Sequence, residues 1–236
     1  MYRDLARKAT AEAVGTAFLV GIVVGSGIFA QRLSPGDAGL QLLENSLATG
    51  AGLVALILAF GAVSGAHFNP VVTLADRAFG GLTNREVAAY IPAQVVGGCA
   101  GAVVANLMFD LPAVTLSHHV RSSGGLWLGE VVATFGLLLV ILGVVRSGRA
   151  LAAPFAVGGY IAAAYWFTSS TSFANPAVTF GRTLTDTFAG IKPSSAPAFI
   201  AAQLAGGVLA VALAKFLHPV LPAADVVVPH PEEERS

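Results

Sequence analysis

Apolar residues dominate long stretches of this chain, and short polar stretches divide them. Six apolar stretches, at roughly 11–31, 40–62, 86–109, 127–146, 150–168 and 196–217, each approach the ~20 residues a helix needs to cross ~30 Å of hydrocarbon. The breaks between them are polar or rich in Gly and Pro: "QRLSPGDAG", "GGLTNRE", "DLPAVTLSHHVRSSGG", "RSGRA" and "GIKPSSAP". Two further apolar pieces, about 70–79 and 176–186, are too short to span, and each follows an Asn-Pro pair. Such a piece reads as re-entrant, entering the membrane partway and stopping. The pattern predicts an all-α membrane protein of six transmembrane helices and two re-entrant half-helices.

The two halves of the chain resemble each other. "NPVVTL" at 69–74 answers "NPAVTF" at 175–180, "AYIPAQVVGG" at 89–98 answers "AFIAAQLAGG" at 198–207, and "AEAVGT" at 11–16 answers "GEVVAT" at 129–134. Three spans per half force the second half into the membrane upside down relative to the first. The expectation is an inverted-topology repeat within one domain, 1–217, with repeats at about 9–109 and 127–217 and the functional site where they meet. The tail 218–236, ending "PHPEEERS", is charged, lacks an apolar face and is expected to be disordered.

Composition supports a membrane setting. Of 236 residues, 55% are hydrophobic and 11% charged, against roughly 25% charged in soluble domains. The mean hydropathy is +0.75, and the 27 glycines suit close helix packing. Zero net charge gives no sign of nucleic-acid binding. The single cysteine, Cys99, rules out an intramolecular disulfide and reads as a packing residue, with a reactive thiol as the alternative. "MYRDLARKATAEAVGTAFLV" lacks a cleavage site and reads as the cytoplasmic end of the first span. With both termini inside, 9 of the 13 Lys and Arg fall on the cytoplasmic side, and Arg32, Arg121, Arg182 and Lys192 outside.

Asn is a strong helix N-cap, and Pro is favoured at the first helical position. Asn69-Pro70 and Asn175-Pro176 therefore read as helix starts, which the inverted repeat brings head to head at the bilayer centre. Each N-terminus carries about half a positive charge. A cation or proton meets a barrier there, whereas a neutral hydrogen-bonding solute does not. Each Asn side-chain oxygen can cap its helix while its NH₂ faces the lumen.

"SGAHFNPVVT" and "TSFANPAVTF", with the six spans and the repeated Glu12 and Glu130, resemble the aquaporin (major intrinsic protein) family over about 9–217. The resemblance implies a right-handed six-helix bundle, a pore in each subunit and a homotetramer. Its Asn-Pro constriction maps to Asn69, Pro70, Val71, Asn175, Pro176 and Ala177. Val71 stands where Ala is usual. Val178 stands where most of the family carries Arg. The four-membered selectivity filter carries over by spacing to Thr49, Ala163, Ser172 and Val178, with Tyr165 or Trp166 as alternatives to Ala163. Small side chains in place of aromatic ones and Arg widen such a ring and remove a fixed charge. The resemblance is nearest to family members linked to arsenic resistance. It implies a passive pore for metalloid acids such as arsenite, organoarsenicals or glycerol-like polyols, in a bacterial inner membrane. A water-selective pore is the alternative.

Arg182, four residues after Val178, reads either as a displaced positive guard at the outer mouth or as a solvated loop-end arginine. Glu12 and Glu130 lie at membrane depth, where an ionisable group is a functional candidate. In this family the matching Glu supports the re-entrant backbone, and a proton relay is the alternative reading. His67, two residues before Asn69, either lines the inner mouth or packs the loop. His118 and His119 read as a solvated loop, or as a pH sensor. Gly21, Gly25, Gly97 and Gly101 read as helix contacts. No metal cluster, phosphate loop or nucleophile motif appears, so neither cofactor nor enzymatic activity is expected. A secondary active transporter also uses inverted repeats and broken helices, but here the repeats meet at neutral Asn rather than at coupling groups. Short extramembrane loops argue against a purely adhesive protein.

Overall fold

The computed structural model describes residues 2–217. The tail 218–236 lies outside the described residues. The elements run α1 (Tyr2–Leu33), α2 (Ala38–Ser64), α3 (Pro70–Phe79), α4 (Asn84–Met108), α5 (Gly124–Arg146), α6 (Ala153–Phe167), α7 (Pro176–Gly181) and α8 (Ala196–Leu217). Short 3₁₀ turns sit at Ala150–Ala152, Arg182–Leu184 and Pro193–Ser195. All helices except α3 and α7 belong to segments long and apolar enough to cross a membrane, six in all. The first is longer than the hydropathy pattern predicts, because the charged segment from Tyr2 continues α1 in helical form.

Local chemistry sets the helix ends. Asp37 caps α2 by accepting from Leu40 N. Thr83 and Glu86 form a reciprocal capping box at α4, and Ser123 caps α5. Each device satisfies a backbone donor that would otherwise lack an intrahelical partner.

The helices pack as two matching groups. α1 packs on α2 and α4, and α5 on α6 and α8, while α2 against α6 joins the halves. Close approach depends on missing side chains. A Cβ at Gly97 or Gly101 of α4 would collide with the Ala13 or Ala17 carbonyl of α1, and one at Gly206 of α8 with the Val131 carbonyl of α5. The core includes Val20 and Val24 from α1 and Leu138 and Leu142 from α5, at matching places in the two halves. Large apolar side chains such as Phe18, Phe29, Leu58, Leu128, Phe155 and Leu209 are exposed on the outside, where hydrocarbon would cover them.

Six crossings bring both ends of the described chain to one side. There Lys8 Nζ meets Glu86 Oε1 at 3.4 Å, and an Arg146 amino group donates to the Ala214 carbonyl at 3.2 Å. This is called the terminal side below, and its opposite the far side.

Candidate functional site

The two loops that lead into α3 and α7 are near copies of each other, and both are strained. Ala66 and Phe68, three and one residues before Asn69, have φ of 51° and 48°, and Ser172 and Ala174, at the same places before Asn175, have 51° and 48°. Non-glycine residues in the left-handed region cost on the order of 1–3 kcal/mol each and persist only where surroundings impose them. A buried carboxylate imposes them here. Glu12 Oε1 accepts from His67 N at 3.0 Å and Oε2 from Phe68 N at 2.7 Å. Glu130 accepts in the same way from Phe173 N and Ala174 N, both at 2.9 Å.

A glutamine and a threonine complete each clamp. Gln94 Nε2 donates to Glu12 Oε2 at 2.8 Å and to Thr73 Oγ1 at 2.9 Å. Gln203 Nε2 donates to Glu130 Oε2 and, at 2.8 Å, to Thr179 Oγ1. Ser64 Oγ accepts from Ala66 N, and Ser170 Oγ from Ser172 N. Both carboxylates are fully buried, and Glu12 accepts four hydrogen bonds, the fourth from Ser64 Oγ, and Glu130 three. That is how non-helical backbone survives at membrane depth. Gln94 and Gln203 lay in plain view in "AYIPAQVVGG" and "AFIAAQLAGG", but nothing in the strings connects them to Glu12 and Glu130.

The two Asn residues lock the repeats together. Asn69 Oδ1 caps α3 by accepting from Val71 N at 2.9 Å, and Asn175 Oδ1 caps α7 by accepting from Ala177 N at 3.0 Å. Asn69 Nδ2 donates to the Ala174 carbonyl at 2.8 Å, and Asn175 Nδ2 to the Phe68 carbonyl at 2.7 Å. This corrects the idea that each NH₂ group is held wholly for the lumen. One N–H of each tethers the opposite loop, so at most one remains for a solute. Pro70 and Pro176 occupy the first helical positions. Val71 and Ala177 are buried behind the constriction, Val71 against Gly207 of α8 and Ala177 against Gly98 of α4.

A central cavity of about 80 Å³ runs along these loops. That is room for several waters, given the 10–15 Å³ that one requires. Its lining combines apolar side chains, Val23, Leu53, Ile57, Leu137, Ile141 and Val157 among them, with the loop segments 65–69 and 172–175. Of the sequence-predicted residues, the cavity brings together His67, Asn69, Thr49, Asn175, Ser172, Val178 and Arg182.

Ala163 is absent from this lining. It is exposed on the outer face of α6, while Tyr165, two residues on, is 3% exposed and lines the cavity. Two residues turn a helix by about 200°, so counting along the chain without the helix phase selects the wrong face. Tyr165 Oη lies 3.2 Å from Thr49 Oγ1, closing a hydrogen bond between α6 and α2. Ser172 Oγ finds no partner among the described residues.

Arg182 is not solvated. It is 2% exposed, and its guanidinium carbon lies 3.3 Å from the centre of the Phe173 ring. Its Nε donates to the Ala189 carbonyl. Arg121, on the preceding connection, donates to the neighbouring Gly190 and Phe188 carbonyls and stands 5.2 Å from the same ring. On the terminal side, His67 Nδ1 lies 3.1 Å from Thr73 Oγ1, and Nε2 lies 3.4 Å from Asp76 Oδ2. Asp76 was not singled out from the sequence. His118 and His119 flank Asp186, which accepts from His118 N at 2.9 Å. These bonds hold the Asp186 carboxyl below the usual range. Among the described residues there is no group of His, Cys, Asp and Glu suited to hold a metal.

A helical bundle of six crossings, two capped half-helices meeting at paired Asn, and a cavity along them define a multi-pass membrane channel. Residues 2–174 match the Major intrinsic protein family, and the chain belongs to that family. It is 53% identical over 214 residues, 91% of each chain, to aquaglyceroporin AqpS of Rhizobium meliloti (strain 1021). It is 34% identical over 212 residues, 78% of this chain and 75% of the relative, to the glycerol uptake facilitator protein of Pseudomonas aeruginosa. The X-ray structure of the aquaglyceroporin from Plasmodium falciparum shares the fold, with a TM-score of 0.72 at 23% identity over 91% of this chain and 98% of that one. The protein is a passive channel for small solutes and not an enzyme.

Proposed function

We propose that this channel conducts small uncharged hydroxylated solutes, with glycerol-like polyols and metalloid acids such as arsenite or methylated arsenicals as the substrate class. The observation that carries this reading is the mixed apolar and polar lining of the cavity. Its apolar side chains suit the C–H groups of a polyol, and the Asn69 and Asn175 amides, the Thr49 and Tyr165 hydroxyls and Ser172 supply polar groups along the same cavity. Val178 adds no polar group at a place where a guanidinium would narrow the ring. The names of two relatives, an aquaglyceroporin and a glycerol uptake facilitator, support a solute larger than water.

In this reading Thr49, Tyr165, Ser172 and Val178 form the selecting ring, His67 lines the inner mouth, and Glu12 and Glu130 hold the loops. The protein works as a homotetramer in a bacterial plasma membrane with both termini cytoplasmic. Stopped-flow light scattering on proteoliposomes tests it, comparing water, glycerol, arsenite and methylarsonate. Fast water flow without glycerol or arsenite flux would overturn the solute assignment.

A further inference from the structure

Arg182 is a buried cation with no carboxylate in direct ion-pair contact among the described residues. None of the ion pairs among the described residues includes it, and Asp186, four residues on, is engaged by His118 and His119. Glu130, on α5, accepts from Phe173 N, Ala174 N and Gln203 and attracts Arg182 only through space. The Arg182 side chain nevertheless has a defined position. The Phe173 ring supports its face and the Ala189 carbonyl takes its Nε. Gly190 and Phe188, on either side of that carbonyl, hold Arg121 near the same ring. The two terminal amino groups of Arg182 make no hydrogen bond to a described residue, yet neither is sealed from the cavity that Arg182 lines. A guanidinium fixed at Nε, with two free N–H₂ groups bordering a water-sized passage, is a donor fork awaiting oxygen atoms.

We propose that Arg182 is a specificity-determining residue of this pore. Placed seven residues after the second Asn, it supplies the far-side constriction with the fixed positive charge and bidentate donor that Val178 does not. The ring is then wide at Val178 and still cationic, which favours solutes presenting adjacent hydroxyl oxygens to the fork and repels cations. This inference rests on the channel assignment and not on which solute is physiological.

The test uses full-length protein in liposomes, with valinomycin-free K⁺ leak, water flow and glycerol flux measured side by side. Arg182→Gln, checked for helix content and monodispersity, should raise K⁺ leak roughly tenfold, the equivalent of ~1.4 kcal/mol, and lower the glycerol-to-water flux ratio. Arg182→Lys keeps the charge without the planar fork, so it should retain cation exclusion and still lose glycerol preference. Adding Val178→Arg to Arg182→Gln should restore exclusion. Wild-type leak and wild-type flux ratio in Arg182→Gln would overturn the proposal. If Arg182→Gln does not fold, unchanged glycerol preference in Arg182→Lys would overturn it instead. Absence of glycerol flux in the wild-type protein would sink the solute reading alone and leave the leak comparison to decide on Arg182.

Discussion

The loop entering α3 and the loop entering α7 share one scaffold and carry opposite charges. Two residues before the Asn stands His67 in the first and Phe173 in the second. Seven residues after it stands Asp76 in the first and Arg182 in the second. In both loops the later side chain folds back against the earlier ring, acid to imidazole on the terminal side and guanidinium to phenyl on the far side. The helices differ in length. α3 runs ten residues to Phe79, so Asp76 stays within its regular turns. α7 stops after six, and Arg182 opens a 3₁₀ turn whose carbonyl accepts from Ile191 N. That break turns Arg182 into the cavity, whereas Asp76 is not among the lining residues. Clamp, cap and cross-tether are duplicated, because each must satisfy the same backbone groups. The charges sit beyond that constraint and are free to differ between the two mouths.

The comparison can be broken most severely at the clamps. Glu130→Ala removes a buried carboxylate and strands the Phe173 and Ala174 N–H groups and Gln203. With hydrogen bonds to charged groups worth about 1.5–3 kcal/mol each, a loss of ~3–5 kcal/mol is expected in detergent unfolding. Glu12→Ala should cost a similar amount, and a large inequality between the two would show that the clamps are not equivalent. Next come the tethers. Asn69→Ala and Asn175→Ala each lose a cap, about 1 kcal/mol, and one cross-repeat bond of similar worth. Both should destabilise by ~2 kcal/mol and raise ion leak in the same liposome assay.

Val178→Arg sharpens the difference between the loops. A second guanidinium near Arg182 narrows the ring, and glycerol flux should fall roughly tenfold with water flow retained. Tyr165→Phe removes only the 3.2 Å bond to Thr49, so a stability loss of about 1 kcal/mol or less is expected. The smallest effect is the acid response of the far-side loop. The Asp186 carboxyl is held low in the folded protein, first by His118 N. Its contribution is therefore complete above the ordinary Asp value of ~3.9 and is lost as pH falls through the lower folded value. Thermal unfolding at stepped acid pH should show a slope that Asp186→Asn reduces.

Much of the fold was legible because each signal had a local cause. Span length follows from hydrocarbon thickness, and the Asn-Pro starts follow from capping, so six crossings and two half-helices could be read directly. The matched strings at Glu12 and Glu130 indicated the repeat. Less was legible at the site. The α6 residue that lines the cavity depended on helix phase, where a shift of two residues separates Ala163 on the outside from Tyr165 in the cavity. Gln94, Gln203, Thr73 and Thr179 join the carboxylates only through contacts between separate helices.

The sequence by itself determined the class of molecule, the number of crossings, the two helix starts and the absence of Arg at position 178. Those are properties of composition and of neighbours along the chain. Whether Arg182 faces solvent or the passage was decided by tertiary structure alone. It depends on where α7 breaks, on the Phe173 ring beneath the guanidinium and on the Ala189 carbonyl that returns seven residues later. A charge at membrane depth takes its direction from such contacts, and no spacing rule along the chain encodes them.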